Sequence, residues 1–135
     1  MTRRRAIAQH EATHTLVAQA KGLPVEWTSI DRGEDEGVLF VAAVKIPDEK
    51  LDMERDRFAI CVAMAAPSFF TTEDEEIDRY SAIEASLAYT IAGKHGIPPA
   101  DVYDEAATLV SDLQVEIVDL AERLEEEGKV TFAVA

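Results

Sequence analysis

The chain has 135 residues, enough for a single domain spanning residues 1–135. Its composition, with 47% hydrophobic and 30% charged residues, is typical of a folded globular protein and excludes a disordered one. Lys and Arg number 13 against 27 Asp and Glu, and the resulting net charge of −14 disfavours binding to nucleic acid or to a membrane surface. One cysteine excludes an intrachain disulfide, and no apolar run could cross a bilayer, so we expect a cytoplasmic protein.

The first predicted elements are a helix and two strands. Apolar residues and histidines recur with a helical period over Thr2–Lys21, and Gly22 supplies a stop signal. β-Branched and aromatic residues predict strands over 25–31 and 38–46, separated by a turn rich in glycine and acidic residues. These two strands are expected to form a small antiparallel hairpin.

The remaining chain is predicted to be mainly helical. The predicted elements are helices over about 47–70, 78–94 and 101–127, an acidic loop over 71–78, and a short closing strand over 130–134. The whole pattern predicts an α+β fold, mainly helical, in which the first helix packs with the hairpin and three further helices.

Two of the chain's three histidines lie four positions apart in the first helix. The segment His10-Glu11-Ala12-Thr13-His14 is an HExxH motif. Residues four apart share one helix face, so both imidazoles can bind a single metal ion. Zinc lowers the pKa of a bound water towards 7, and the adjacent Glu11 can accept its proton as general base. The motif therefore predicts a zinc site with His10 and His14 as ligands.

A catalytic zinc site takes three protein ligands and leaves a fourth position for water. No histidine follows His14 until His95, whose place at a helix end is explained by the helix dipole. The densest group of carboxylates is Glu73, Asp74, Glu75, Glu76 and Asp78. The residues alone leave the third ligand open between these carboxylates and His95.

The residues around the motif extend into a longer pattern. Arg4 to Ala18 enclose the HExxH motif, Leu23-Pro24-Val25 follows, and 32–37 read Arg-Gly-Glu-Asp-Glu-Gly. This order resembles the peptidase domain of the FtsH family of AAA+ zinc proteases, which carries His-Glu-Ala-Gly-His-Ala-x-Val-Ala, a Pro-Val and Arg-Gly-x-x-x-Gly. The resemblance implies a zincin-like fold and a zinc-dependent metalloendopeptidase, a hydrolase acting on peptides or unfolded protein.

The resemblance also nominates particular residues. The family's third zinc ligand is an aspartate with an alanine four residues on, and Asp78 with Ala82 fits that spacing. In zinc peptidases of this kind an edge strand near the metal pairs with the substrate backbone, and here that strand would carry Gly37, Val38 and Leu39.

The chain departs from the family pattern in three places. Thr13 replaces a glycine inside the motif, and 65–70 lack the family's paired glycines, arginine and glutamate. No Walker-type motif occurs, so we expect a small standalone version without the ATPase and membrane segments. Two other functions remain open: a non-catalytic binding or regulatory module that retains the zinc-peptidase fold, and an acidic adaptor without metal.

Overall fold

A computed structural model describes residues 3–23, 25–30, 41–44, 61–62 and 75–132. The fold is α+β and mainly helical, as the sequence predicts. In chain order the elements are α1 (Arg3–Ala20), β1 (Val25–Ser29), β2 (Val41–Val44), α2 (Glu75–Lys94), α3 (Pro99–Asp112), α4 (Gln114–Glu127) and β3 (Lys129–Thr131). Cys61 and Val62 are also helical.

Helix α1 carries the HExxH motif and ends where the sequence predicts. Gly22 has a φ of 80°, a left-handed conformation that glycine adopts without steric cost. The amide of Gly22 donates to the carbonyl of Gln19, and the amide of Leu23 donates to that of Ala18. These two bonds satisfy carbonyls at the helix end and turn the chain directly into β1.

Within the described residues, the sheet has three antiparallel strands in the order β2-β1-β3. Strand β1 pairs with β2, which confirms the predicted hairpin, and Thr28 lies opposite Ala42 in that pairing. The closing strand also forms, with Val130 opposite Thr28 on the other side of β1. Strand β1, which follows the motif helix, is therefore the centre of the sheet.

The core lies mainly between α1 and α4. Both helices bury small and branched apolar side chains, and α3 and the sheet also contact α1. Fully or almost fully buried residues of this core are Ala8, Ala12, Val17, Val102, Ala106, Ile117, Ala121 and Leu124. The small alanine side chains of α1 allow α4 to approach closely, so one face of the motif helix packs against apolar side chains.

At its N-terminal end, α1 is tied to α4 by charged side chains. Arg4 donates from Nε to the backbone carbonyl of Glu125 at 2.8 Å, and Arg5 pairs with the carboxylate of Glu125 at 3.2 Å. A cation near the last carbonyls of a helix is favoured by the helix dipole. The basic N-terminal residues of the described chain are thus engaged within the fold.

Two helical predictions differ from the structure. Helix α2 begins at Glu75, three residues earlier than predicted, so the acidic segment 71–78 is partly helical. The helix predicted over 101–127 is interrupted at Leu113, whose φ of −99° and ψ of 10° lie in the bridge region. Leu113 packs against the core, and the interruption lets α3 and α4 both contact α1.

Other predictions lie partly or wholly outside the described residues. Of the helix predicted over 47–70, the structure describes Cys61 and Val62, which are helical. The proposed substrate strand residues Gly37, Val38 and Leu39 lie outside the described part. Among the described residues, no helix combines the length and the apolar character needed to cross a membrane.

Candidate metal centre

The two histidines of the motif point into one buried space beside α1. His10 is 0% exposed and His14 is 9% exposed. Their Nε2 atoms lie 3.2 Å apart, and the two rings meet edge to face with centroids 4.7 Å apart. The helical spacing thus brings both imidazoles together, as the motif predicts.

A carboxylate from α2 completes the group. Glu84 lies 74 positions after His10, and its Oε1 is 3.3 Å from His10 Nε2. Its Oε2 is 2.6 Å from His14 Nε2. One ligand atom from each of His10, His14 and Glu84 lies within 4.8 Å of the other two. The structure therefore assembles two imidazoles and one carboxylate from two distant helices.

Hydrogen bonds to the outer ring nitrogens orient the imidazoles. His14 Nδ1 donates to the carbonyl of Val62 at 2.7 Å, so in the neutral ring Nε2 carries a lone pair. His10 Nδ1 lies 3.4 Å from the hydroxyl of Ser81, whose oxygen can accept a hydrogen bond from the ring N–H. Both inner nitrogens then face each other and Glu84 as electron-pair donors. Such outer contacts are how proteins fix the orientation of metal-binding histidines.

The spacing of these donors fits a small divalent cation. Zinc bonds of about 2.0–2.1 Å place the ligand atoms of a tetrahedron roughly 3.3–3.4 Å apart. The distances His10–His14 (3.2 Å) and His10–Glu84 (3.3 Å) are close to this value. Glu84 Oε2 lies 2.6 Å from His14 Nε2, a hydrogen-bond distance shorter than the edge of a zinc tetrahedron, so these two atoms share a proton when no metal is bound. Converging lone pairs need a proton or a metal ion between them, and the residues present fit zinc.

Without metal, protons take the place of the cation. Burial lowers the pKa of a histidine, and this direction holds for His10. For His14 the contacts with Glu84 and the charge of Glu11 outweigh burial and raise the pKa to about 9. Burial favours the neutral form of Glu84, but the two histidines outweigh it and lower its pKa to about 2. The metal-free group is therefore an ion pair between Glu84 and His14.

Glu11 is buried beside the three donors. It is 1% exposed, and its Oε1 lies 3.9 Å from His10 Nε2. Burial raises its pKa to about 8, with the nearby Glu84 charge adding to the shift and His14 opposing it. In the metal-free protein Glu11 is therefore mostly protonated at neutral pH, and a cation bound by the three donors would lower its pKa and favour the carboxylate that a general base requires.

A pair of buried threonines fixes the motif helix to the sheet. Thr15 Oγ1 donates to the carbonyl of Glu11 at 2.8 Å and lies 2.6 Å from Thr28 Oγ1. Because the Thr15 proton is used on that carbonyl, the Thr28 hydroxyl donates to Thr15. Thr13, in the position of the family's glycine, is buried and donates to the carbonyl of Gln9. The hydroxyls of Thr13 and Thr15 therefore both donate hydrogen bonds, and neither threonine leaves an unpaired polar group in the buried part of α1.

The sequence-predicted residues are only partly brought together. His10, Glu11 and His14 meet in one site, but Asp78 is exposed in the first turns of α2 and is not part of the group. Glu84, six residues further along the same helix, is the carboxylate that reaches the histidines. Glu75 and Glu76 begin α2, while Glu73 and Asp74 lie outside the described residues. His95, in the turn after α2, does not belong to the group either.

One sequence signal points to Glu84. Helix α2 turns Ser81, Ala88 and Ala92 towards the interior, and Glu84 follows the same stripe at helical spacing. An acidic residue inside such a stripe needs a buried partner, whereas a run of acidic residues such as 73–78 is usually solvated. A single acidic residue within a buried stripe is therefore a better indicator of the third ligand than a dense run of acidic residues.

The chain matches no known protein-family model and no curated protein. Its function must therefore be inferred from the residues of the site and from the motif around them.

Proposed function

We propose that the chain is a zinc-dependent metallopeptidase in which His10, His14 and Glu84 hold the metal and Glu11 is the general base. The observation that carries this proposal is the convergence of the three donor atoms within 4.8 Å, beside the buried carboxylate of the HExxH motif. Glu84 takes the place for which the sequence resemblance nominates Asp78. Three protein ligands leave a fourth position for water, which is the arrangement of catalytic zinc sites.

Each residue has a separate task in peptide hydrolysis. Zinc held by His10, His14 and Glu84 would supply Lewis acidity, which activates water and polarises a carbonyl. Glu11 accepts a proton from the attacking water and returns it to the departing amine. Val62 and Ser81 hold the two imidazoles in the orientation that binding requires. The substrates we propose are peptides and unfolded polypeptides, as the resemblance to FtsH-family peptidases implies.

A Glu11→Gln substitution tests the proposal. Purified protein should contain one zinc per chain by elemental analysis, and digestion of a peptide library should yield cleaved products. Glu11→Gln should keep the zinc and lose hydrolysis by about 10²- to 10⁴-fold, since proton transfer contributes that much. The matched control is Glu116→Gln, an exposed glutamate of α4, which should leave both readouts unchanged. Protein that binds no zinc, or Glu11→Gln that cleaves at the full rate, would contradict the proposal.

A second candidate is a non-catalytic binding module that keeps the zinc site for structure. The burial of His10 (0% exposed) and Glu11 (1% exposed) favours it, because a closed site leaves little room for substrate. The number of ligands favours the enzyme instead, because structural zinc sites almost always have four protein ligands. In the binding module, Glu11→Gln would retain zinc and full biological activity.

A further inference from the structure

The outer face of α2 differs from the rest of this acidic protein. Between Arg79 and Lys94, Glu84 is the only charged residue in the sequence, although 30% of the whole chain is charged. On this face Ile83 is 50% exposed and Leu87 is 59% exposed. These two residues, one helical turn apart, form what we call the apolar strip.

The apolar strip lies directly beside the metal-binding carboxylate. The buried face of α2 is centred on Ala88 and Ala92, and Glu84 stands at the margin of that face, with 26% of its side chain exposed. Leu87 follows Glu84 by three positions and Ile83 precedes it by one, so both occupy the neighbouring sector of the helix. The strip therefore begins where the site first meets solvent.

We infer that the apolar strip binds an aliphatic or aromatic side chain of an unfolded polypeptide whose backbone reaches the metal centre. This inference rests on the proposed function and specifies its substrate class. The strip offers apolar contact without charge, whereas the net charge of −14 repels acidic peptides. An unfolded chain exposes the large apolar side chains that a folded protein buries.

The size of the strip argues against a second copy of the chain as its occupant. A stable protein–protein interface buries about 800 Å² on each partner, which two side chains on one helix cannot supply. Two copies that each carry a charge of −14 would also repel one another. A single side chain of a bound peptide matches the strip in both size and polarity.

The test uses zinc-loaded protein carrying Glu11→Gln, so that binding is measured without turnover. The probes are two dye-labelled decapeptides of Gly, Ser and Lys, one with two central leucines and the other with serines in their place. Fluorescence anisotropy gives the Kd of each. We expect Ile83→Ser and Leu87→Ser each to weaken binding of the leucine peptide by about fivefold, as loss of partial apolar burial implies. Neither should change binding of the serine peptide.

The control is Val115→Ser, which removes an apolar side chain that is 70% exposed on α4, away from the site. It should leave both Kd values unchanged. Equal binding of the two peptides, or no effect of either α2 variant, would overturn the inference. So would a dimer, seen by sedimentation, that Leu87→Ser dissociates.

The proposed function and this inference can fail separately. Loss of selectivity for the leucine peptide in the α2 variants supports the strip even if zinc-loaded wild-type protein cleaves nothing, in which case the peptidase proposal fails. Cleavage by wild-type protein with no selectivity change in those variants overturns the strip alone.

Discussion

Helix α1 makes two contacts of opposite character. Towards α4 it buries hydrocarbon, with Ile117 and Leu124 both 0% exposed. Towards α2 it presents His10 and His14, which meet Glu84 through nitrogen and oxygen atoms. One side of the helix therefore joins the core, and the other side forms half of a polar site.

Because one contact of α1 is apolar and the other is polar, the two contribute differently to stability and to metal binding. Apolar burial stabilises the fold whatever the solution contains, because it depends only on area removed from water. A buried polar cluster stabilises only when its charges and lone pairs are matched by protons or by a metal ion. We therefore expect the α1–α4 contact to set the free energy of unfolding and the α1–α2 contact to set metal affinity.

The largest effect is expected at the apolar contact. Ile117→Ala should lower the free energy of unfolding by about 2–5 kcal/mol, because it opens a cavity in the core. Urea unfolding monitored by circular dichroism measures this change. Val115→Ala, on the exposed side of the same helix, should stay within about 0.5 kcal/mol of wild type. If both variants unfold at the same urea concentration as wild type, Ile117 does not belong to the core that stabilises the fold.

At the polar contact, Glu84→Gln should remove the proposed third zinc ligand. Its zinc affinity should fall by more than about 100-fold, beyond the roughly 10- to 100-fold effect typical of outer-shell groups. Competition with a chelating dye gives the Kd. Asp78→Asn is the matched control on the same helix and should bind zinc as wild type does. The opposite ranking would restore Asp78 as the third ligand.

The two contacts should also respond differently to pH once metal is removed. His14, with a pKa raised from 6.5 to about 9, stabilises the fold below pH 6.5 and loses that contribution as pH rises towards 9. The pKa of Glu11 is raised from 4.5 to about 8. Its contribution to stability also falls as pH rises, because the unfolded chain releases this proton at a lower pH than the folded protein does. Metal-free protein should therefore melt at a lower temperature at pH 8.5 than at pH 6.5, by of the order of 5 °C.

Zinc should reverse this trend, since its ligands bind better once deprotonated. Differential scanning calorimetry with EDTA and with zinc at both pH values makes the comparison. A melting temperature that falls equally with and without zinc would show that other groups control the pH dependence.

The smallest effect is expected from the group that orients His10. Ser81→Ala should weaken zinc binding by about 10-fold, because His10 loses a partner for its outer nitrogen. The melting temperature of metal-free protein should change little, which separates positioning from folding. Ser86→Ala, at an exposed position five residues further along α2, should bind zinc normally. An equal loss of zinc affinity in both variants would show that Ser81 has no specific role in orienting His10.

The first half of the site was predictable because its geometry is local. His10, Glu11 and His14 lie within one helical turn, so the period of the helix places them together. The β1–β2 pairing was predictable for the same reason, since both strands flank one turn. The stop at Gly22 follows from backbone freedom that needs no tertiary contact.

The second half of the site depends on how α2 is rotated about its own axis. Glu84 and Asp78 lie on one helix, and only tertiary packing decides which carboxylate faces α1. The burial of Ala88 and Ala92 against the core sets the rotation of α2, which turns Glu84 inward and leaves Asp78 exposed. The interruption at Leu113 was missed for a similar reason, since local propensity continues through it.

The order of the elements along the chain has a consequence for how the protein matures. Helix α1 is made before the other described elements, yet its main apolar partner, α4, lies more than 90 positions later along the chain. A growing chain emerges from the ribosome at about 5–20 residues per second, so the histidines are exposed for seconds before that partner arrives. The three proposed zinc ligands are all translated by residue 84, but α4, which packs against α1, is not. Metal binding at the proposed site would therefore be postponed until α4 has been made.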